Sequence, residues 1–292
     1  MQQANPPLVS VVIPTRNRCE RLSQAIASAK AQTWPNIEII VIDEASDDAT
    51  PAYLASLAAE DPRVHLIRND HPRGGGGARN QGIDAASGVY IAFLDDDDIW
   101  LPEKLAAQMT LLQAQPGASA VSCGFVVEYP FSILRGVRVV PPSDAQQLLR
   151  ANHLGGASMC LATKSALAAI HGFDPSLRSG QDWDLWLKLY DQGPILVCDQ
   201  PLVRYVPHRG VRITGNPGSA YSGRRRIFFR YRSRMTAMTQ RFLLSELVYC
   251  RKVLMGKTAR RIAKGFLHVL HLACGTNAVR YVYRYLKHLS RV

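Results

Sequence analysis

The chain has 292 residues, 47% of them hydrophobic, which is enough for a buried core, and its apolar stretches fall short of the roughly 20 residues that a transmembrane helix needs. Its six cysteines form no CxxC pair and its first residues lack the charged and apolar blocks of a signal peptide, a pattern typical of a cytoplasmic protein. The formal net charge of +12 is uneven, since residues 1–220 hold 18 Lys and Arg against 22 Asp and Glu, whereas residues 221–292 hold 17 against 1.

The predicted elements alternate between strand and helix from Leu8 onward, which favours an α/β fold with a mostly parallel sheet covered by helices on both faces. The predicted strands are residues 9–13, 37–42, 64–67 and 89–94, and the predicted helices are residues 21–32, 50–60 and 77–86. Ligands bind beyond the carboxyl ends of the strands in such sheets. The polar residues that follow the first, second and fourth strands are therefore candidate site residues: Pro14, Thr15, Arg16, Asn17, Asp43, Glu44 and Asp95 to Asp98.

Four consecutive aspartates, Asp95 to Asp98, follow the fourth strand. Carboxylate oxygens bind hard divalent cations, which can neutralise a diphosphate leaving group. In an extended segment, Asp95 and Asp97 face one way and Asp96 and Asp98 the other, so one pair can hold a metal while the other contacts ribose or the sheet. The alternatives are a solvated acidic loop and an acidic first turn of the next helix.

A glycine-rich segment, Arg73 to Asn80, contains four consecutive glycines. Its backbone amides can approach a phosphate at a helix N-terminus, with Arg73 or Arg79 adding positive charge. It has neither the spacing of a P-loop nor that of a dinucleotide-binding fingerprint. A flexible loop is an equally good interpretation.

Asp182 is predicted at the start of a helix, with the apolar Leu185 and Trp186 on its face. A carboxylate beside a pocket can accept the proton of an attacking hydroxyl. The spacing from Ser179 is close to that of a capping box, so a role in helix stability alone is the alternative. His208 can be a metal ligand, since neutral imidazole binds divalent ions, or an ordinary packed histidine.

Six segments in this order resemble glycosyltransferase family 2, and the resemblance continues to His208. The segments are Val9–Arg18, Ile39–Asp47, Ala78–Gly82, Tyr90–Trp100, Gly172–Pro175 and Gln181–Leu189. The resemblance implies a GT-A fold, which is Rossmann-like with a mostly parallel central sheet flanked by helices. It also implies a UDP-sugar or similar donor, Mn²⁺ or Mg²⁺ as cofactor, and inversion at the anomeric carbon by direct displacement.

The resemblance further implies the role of each matching position. It places Thr15, Asn17, Asp43 and Glu44 where family members hold the base and ribose. The full set of residues predicted to bind the donor is Pro14, Thr15, Arg16, Asn17, Asp43, Glu44, Arg73, Asn80, Asp95 and Asp96. Asp97, Asp95 and His208 are the implied metal ligands, and Asp182 is the implied catalytic base. Two positions depart from the family's pattern, because Glu44 stands where a second Asp is common and Gln181 where Glu is frequent.

The predicted catalytic domain, residues 1–220, is followed by a basic helical extension, residues 221–292. The extension mixes basic residues with aromatic and aliphatic ones at helical spacing, as basic amphipathic helices do. Each basic residue near anionic headgroups contributes about 1 kcal/mol to binding. We therefore expect peripheral association with the inner face of the cytoplasmic membrane, which suits a lipid-linked acceptor. The alternative is that these helices dock on the catalytic domain.

These patterns together predict an inverting, metal-dependent glycosyltransferase. It moves a sugar from a nucleotide-sugar donor to a glycan or lipid-linked acceptor in polysaccharide or cell-envelope biosynthesis. One alternative is a catalytically silent protein that binds nucleotide-sugars. Another is a nucleic-acid-binding protein that uses the basic extension, but no RRM, KH or helix-turn-helix pattern occurs, so we expect no nucleic-acid partner.

Overall fold

The computed structural model describes residues 5–128, 135–206 and 217–255. The chain forms two compact units, Met1–Gly210 and Val211–Val292. His208 and residues 256–292 of the extension lie outside the described residues.

The first unit is built on one sheet, whose described strands are β1 (Val9–Thr15), β2 (Ile37–Asp43), β3 (Val64–Arg68), β4 (Tyr90–Phe93), β5 (Asp98–Trp100), β6 (Ala120–Val127), β7 (Arg135–Val137), β8 (Leu161–Thr163) and β9 (Ile195–Tyr205). Their order is β3-β2-β1-β4-β8-β6-β9-β5, and β7 pairs with β6 off this path. Strands β1 to β4 pair in parallel, as predicted. Strand β8 is antiparallel to both β4 and β6, which brings a later part of the chain beside the site.

The described helices of the first unit are α1 (Cys19–Lys30), α2 (Thr50–Glu60), α3 (Gly74–Ala85), α4 (Lys104–Ala114), α5 (Ala145–Arg150), α6 (Lys164–Ala169) and α7 (Gln181–Tyr190). A short 3₁₀ turn, Ala157–Met159, precedes β8. Helix α2 has the predicted bounds. Helix α3 begins three residues earlier than predicted, so the glycines form its first turns and not a loop before it.

The core explains the apolar runs of the central strands. Val9, Val11 and Ile13 of β1 have no exposed surface, because helices cover both faces of the strand. Glu38 is the one charged residue between the apolar positions of β2 that precede Asp43, and it is buried. Its carboxylate accepts hydrogen bonds from the Ser10 hydroxyl at 2.6 Å and from the backbone amide of Ser87 at 2.6 Å, which satisfies a group that is costly to bury alone.

The second unit contains helices α8 (Pro217–Tyr231) and α9 (Ala237–Met255). Apolar side chains of both helices are buried, among them Ile227 and Leu243. An ion pair of 3.8 Å joins Arg224 of α8 to Glu246 of α9. Within the parts of the chain that the structure describes, no helix has the length and apolar content to cross a membrane.

Candidate active site

The loops that follow β1, β2 and β4 meet at one edge of the sheet. Thr15 at the end of β1 lies beside Asp43 at the end of β2 in the parallel register. The Thr15 hydroxyl donates a hydrogen bond of 2.8 Å to Oδ2 of Asp96, which follows β4. The polar residues that the sequence placed at this edge are therefore brought together.

The chain turns within the aspartate run and does not continue as a strand. Residues 96 and 97 form the turn, and the amide of Asp98 donates a hydrogen bond of 3.1 Å to the carbonyl of Asp95. The expected alternation of side chains is therefore wrong. Asp95, Asp97 and Asp98 each place one carboxylate oxygen within 4.8 Å of the oxygens of the other two residues. Asp96 faces Thr15 instead.

This acidic cluster, Asp95, Asp97 and Asp98, fits a hard divalent cation. Asp98 is buried, and its Oδ1 has no hydrogen-bond partner among the described residues. Burial, with the neighbouring carboxylates adding to it, raises the pKa of Asp98 well above its usual value. Three carboxylates this close repel one another, and a divalent cation offsets that repulsion with the oxygen ligands that Mg²⁺ and Mn²⁺ take.

Two arginines flank the aspartates on opposite sides. Nη1 of Arg18 donates to Asp96 Oδ1 at 2.7 Å and to Asp97 Oδ2 at 3.1 Å. Arg79, a residue of α3 that is only 8% exposed, forms an ion pair with Asp95. Two cations thus face four carboxylates, and the site keeps negative charge that can attract a divalent cation.

The loop after β2 holds Asp43 and Glu44 in different ways. Oδ1 of the buried Asp43 accepts a hydrogen bond from the Ser46 amide at 3.0 Å. Its Oδ2 has no hydrogen-bond partner among the described residues and lies 3.7 Å from Nε of Arg68. Asp43 therefore has a buried carboxylate oxygen that can accept a hydrogen bond from a ligand.

Glu44 uses both of its carboxylate oxygens within the protein. Oε1 accepts from the Asn69 side chain at 2.6 Å, and Oε2 accepts from the backbone amides of Arg73 at 2.7 Å and Gly74 at 2.6 Å. A carboxylate from another loop therefore caps the start of α3. Glu44 therefore stabilises the start of α3, and the amides of Arg73 and Gly74 are already hydrogen-bonded. The contact of Glu44 with the nucleotide stays a prediction.

Asn80 has a structural role, and its predicted contact with the donor stays a prediction. Its Nδ2 donates to the carbonyl of Phe173 at 2.9 Å, and its Oδ1 accepts from the amide of Phe173 at 2.8 Å. Gly172 precedes Phe173 with a φ of 60°, and a Cβ there would lie 2.4 Å from Asn80 Oδ1. Hydrogen bonds from Asn80 thus join the Ala78–Gly82 segment of the family pattern to the Gly172–Pro175 segment.

The remaining predicted donor residues lie in or beside the same loops. The side chains of Arg16 and Arg73 are exposed, and Pro14 is half-buried. Asn17 has a φ of 53° and joins the first two loops, because its Oδ1 accepts from the Asp47 amide at 2.9 Å. These positions surround the edge at which Thr15 and Asp43 end their strands.

Asp182 lies in the first turn of α7 and is half-buried. The helix is capped by Gly180, with a φ of 78° and no side-chain cap, so the capping box considered from Ser179 does not form. The carboxylate of Asp182 accepts a backbone hydrogen bond from Ala157 at the start of the 3₁₀ turn. Its position therefore owes nothing to a capping box.

The pKa of Asp182 is raised to about 6, chiefly by burial, with Arg79 opposing the rise and Asp95 adding to it. A carboxylate with this pKa is a stronger base than an ordinary one and is still largely ionised at neutral pH. The group is therefore suited to accept a proton from a bound hydroxyl.

The family sequence profile "Glycosyl transferase family 2" matches residues 10–163, more than half of the chain. The chain belongs to glycosyltransferase family 2. The family resemblance of the sequence is thereby confirmed. An acidic cluster at the carboxyl edge of the sheet and a carboxylate on a nearby helix are thus parts of a glycosyltransferase.

The known relatives of this family 2 chain include two Escherichia coli proteins. The putative colanic acid biosynthesis glycosyl transferase WcaA of strain K12 is 28% identical over 255 residues, 85% of this chain and 89% of WcaA. The UDP-Glc:alpha-D-GlcNAc-diphosphoundecaprenol beta-1,3-glucosyltransferase WfgD is 40% identical over 105 residues, 36% of this chain and 41% of WfgD. Relatives of the chain therefore serve the synthesis of cell-envelope polysaccharides.

A solved structure shows the fold. The mannosyltransferase PcManGT from Pyrobaculum calidifontis, in complex with GDP-Man and Mn²⁺, has a TM-score of 0.65 at 20% identity, covering 98% of this chain and 81% of PcManGT. The predicted GT-A fold is confirmed.

Three residues of the site have contacts that the sequence did not predict. Arg18 was predicted only as the end of the Val9–Arg18 segment, and Arg79 only as a phosphate contact. Ser158 accepts a hydrogen bond of 3.0 Å from the amide of Asp95 through its hydroxyl. The position of Arg79 inside the Ala78–Gly82 segment was a usable signal, whereas Ser158 is 63 residues from its partner and no local pattern marks it.

Proposed function

We propose that this family 2 glycosyltransferase is an inverting, metal-dependent enzyme that moves a sugar from a UDP-sugar to a lipid-linked or glycan acceptor. The observation that carries the proposal is the pairing of two kinds of carboxylate around Arg79. The acidic cluster lies on one side, and Asp182, with its raised pKa, is held near the same guanidinium. The relative WfgD, whose name specifies UDP-Glc as donor and a diphosphoundecaprenol acceptor, supports the donor and acceptor classes.

On the donor side, the loops after β1 and β2 hold the nucleoside, with Thr15, Asn17 and Asp43 nearest to it. Asp43 faces the base, because its buried Oδ2 still lacks a hydrogen bond among the described residues. The acidic cluster holds Mn²⁺ or Mg²⁺, which when bound neutralises the diphosphate as it leaves. His208 as a further metal ligand stays a prediction, since it lies outside the described residues.

On the acceptor side, Asp182 takes the proton of the acceptor hydroxyl. The hydroxyl oxygen forms a bond to the anomeric carbon while the bond from that carbon to the diphosphate oxygen breaks on the opposite face, which inverts the configuration. The electron pair of the broken bond stays on the diphosphate. The proton ends on Oδ of Asp182 and is released to water afterwards.

The test replaces Asp182 by Asn, which keeps the shape of the side chain and removes its basicity. We expect turnover of UDP-Glc with GlcNAc-diphosphoundecaprenol, in the presence of Mn²⁺, to fall at least about 100-fold while UDP binding is retained. Asp191→Asn, at an exposed position directly after the same helix, is the control and keeps its activity. Unchanged turnover in Asp182→Asn would refute the role of Asp182. UDP-GlcNAc and GDP-Man, used as further donors, test the donor class separately.

A protein that binds nucleotide-sugars without turning them over is the second candidate. The same assays separate it from an enzyme, because it binds UDP with Mn²⁺ and releases no sugar from any donor. The raised pKa of Asp182 favours the enzyme, since a silent binding site has no need of a base near neutral pH.

The basic extension, residues 221–292, is proposed to bind the anionic inner face of the cytoplasmic membrane. Residues 217–255 contain nine Lys and Arg against one Glu. Phe229 is 51% exposed, and the guanidinium carbons of Arg225 and Arg232 lie 5.3 and 5.9 Å from its ring centroid. An exposed aromatic ring with arginines around it fits the boundary between headgroups and acyl chains.

A further inference from the structure

Arg79 connects three separate parts of the site. It forms its ion pair with Asp95 after β4, and its Nη1 donates a hydrogen bond of 3.2 Å to Oε1 of Gln181, the first residue of α7. Its guanidinium carbon lies 5.2 Å from the centroid of the Phe173 ring. A planar cation held by a carboxylate, an amide and a ring cannot turn freely, so its position is fixed from three directions.

The glycine-rich segment leaves room for this arrangement. A Cβ added at Gly75 would lie 3.0 Å from Nη1 of Arg79 and 3.4 Å from Oε1 of Gln181. A Cβ added at Gly76 would lie 3.3 Å from the carbonyl of Asp174 and 3.4 Å from Nε2 of Gln181. Side chains at these positions would crowd the contact between α3 and the start of α7. Two of the four consecutive glycines, Gly75 and Gly76, are thereby accounted for.

We propose that Arg79 is a positioning residue that links the acidic cluster to Asp182, and that Gly75 and Gly76 of α3 serve to let it reach Gln181. The inference rests on the proposed function, because it concerns how the donor side and the acceptor side of that site are coupled. Arg79 touches neither reacting group. It acts by fixing Asp95 on one side and the first turn of α7, which carries Asp182, on the other.

The groups that face Asp182 define its electrostatic setting. They are Arg79 from α3, Asp95 from the turn after β4, the thiol of Cys160 just before β8 and the amide of Ala157 from the 3₁₀ turn, while the neighbouring Gln181 is neutral. Arg79 is the cation among these groups within the described residues, so its removal takes away the positive charge that favours the ionised form of Asp182. An ionised Asp182 is then disfavoured, and the base carries a proton over a wider range of pH.

The neutral Gln181 has a consequence of its own. A glutamate at this position, as the family's pattern often has, would pair with Arg79 and share its charge. With glutamine, the charge of Arg79 acts on Asp95, Asp182 and Asp96 without a further carboxylate at position 181. The glutamine at position 181, where the family's pattern often has glutamate, therefore helps to hold Arg79 without competing for its charge.

The experiment measures kcat and KM for UDP-Glc with GlcNAc-diphosphoundecaprenol and Mn²⁺ across the acid range of pH in four variants of the full chain. They are Arg79→Gln, Arg79→Lys, Gln181→Glu and Gln181→Met. In Arg79→Gln we expect kcat to fall. We also expect the acid limb, the pH range in which kcat drops on the acid side, to move up by about one pH unit, since an opposite charge this close shifts a carboxyl pKa by about 1 to 3 units. Arg79→Lys keeps the positive charge, so we expect its acid limb to move less than that of Arg79→Gln. Gln181→Glu moves the limb upward, whereas Gln181→Met, which adds no charge, leaves it in place.

A purely structural role for Arg79 lowers kcat or stability in Arg79→Gln without moving the acid limb, and that result overturns the inference. Should Arg79→Gln fail to fold, an unmoved limb in Gln181→Glu overturns it in the same way. These outcomes are distinct from failure of the proposed function. An active Asp182→Asn variant removes the base assignment itself, whereas an inactive Asp182→Asn together with unmoved limbs in Arg79→Gln and Gln181→Glu removes only the coupling.

Discussion

Asp182 shows how one side chain obtains its chemistry from its surroundings. Burial raises its pKa, Arg79 opposes the rise, and the balance is a pKa of about 6. The sequence identified Asp182 by its place in the Gln181–Leu189 segment, but the pKa depends on contacts that a sequence pattern does not contain. Arg79 precedes Asp182 by about a hundred residues, and only the folded sheet brings them near each other.

The pKa of Asp182 leads to a prediction for the pH dependence of activity. A base acts only when ionised, so we expect kcat of the wild-type enzyme to fall as pH drops through about 6. An ordinary aspartate would keep the enzyme active to a pH about two units lower, near its reference pKa. The measurement is kcat for UDP release at saturating donor and acceptor, in buffers of constant ionic strength. An acid limb near pH 4 would contradict the prediction.

At the scale of elements, β2 and α2 were predictable because the sequence signals for them lie within their own residues. The apolar run of β2 and the bounds of α2 follow from residues 37–42 and 50–60 alone. The start of α3 was not predictable, because its cap is Glu44, a residue of another loop. The turn within Asp95 to Asp98 was also missed, since four identical residues give no signal for where the chain bends.

The pair formed by Asn80 and Gly172 gives a prediction for an element junction. Gly172→Ala forces a non-glycine residue to a φ of 60° and places a Cβ 2.4 Å from Asn80 Oδ1, so we expect a loss of about 1 to 3 kcal/mol in the free energy of unfolding. Gly117→Ala is the control, because Gly117 has a φ of 95° with nothing within 4 Å of the added Cβ. Urea unfolding measures both. Equal losses in the two variants would show that the contact with Asn80 adds nothing.

At the scale of the whole molecule, acidic and basic residues are unevenly distributed along the chain. Residues 1–220 hold an excess of acidic residues, with 22 against 18 basic ones, although the diphosphate of the proposed donor is itself negative. A divalent cation held by the acidic cluster, as proposed, would offset the repulsion between the two. The extension, residues 221–292, holds 17 basic residues against one acidic, which suits a partner of extended negative charge. A membrane that carries the lipid-linked acceptor is such a partner, and it would keep enzyme and acceptor together.

We therefore expect the full chain to float with phosphatidylglycerol vesicles and not with phosphatidylcholine vesicles, and a chain ending at Ser219 to remain in solution. The double variant Arg225→Glu, Phe229→Ser should reduce flotation, since it removes one cation and the apolar ring that lies beside it. Val89→Ser is the matched control, because Val89 is an apolar residue 58% exposed in the first unit. Added salt weakens the electrostatic part of binding but not the apolar part. Flotation of the shortened chain, or its absence in the full chain, would assign the basic helices to docking on the catalytic domain instead. Retention on RNA without any binding to vesicles would favour the nucleic-acid alternative.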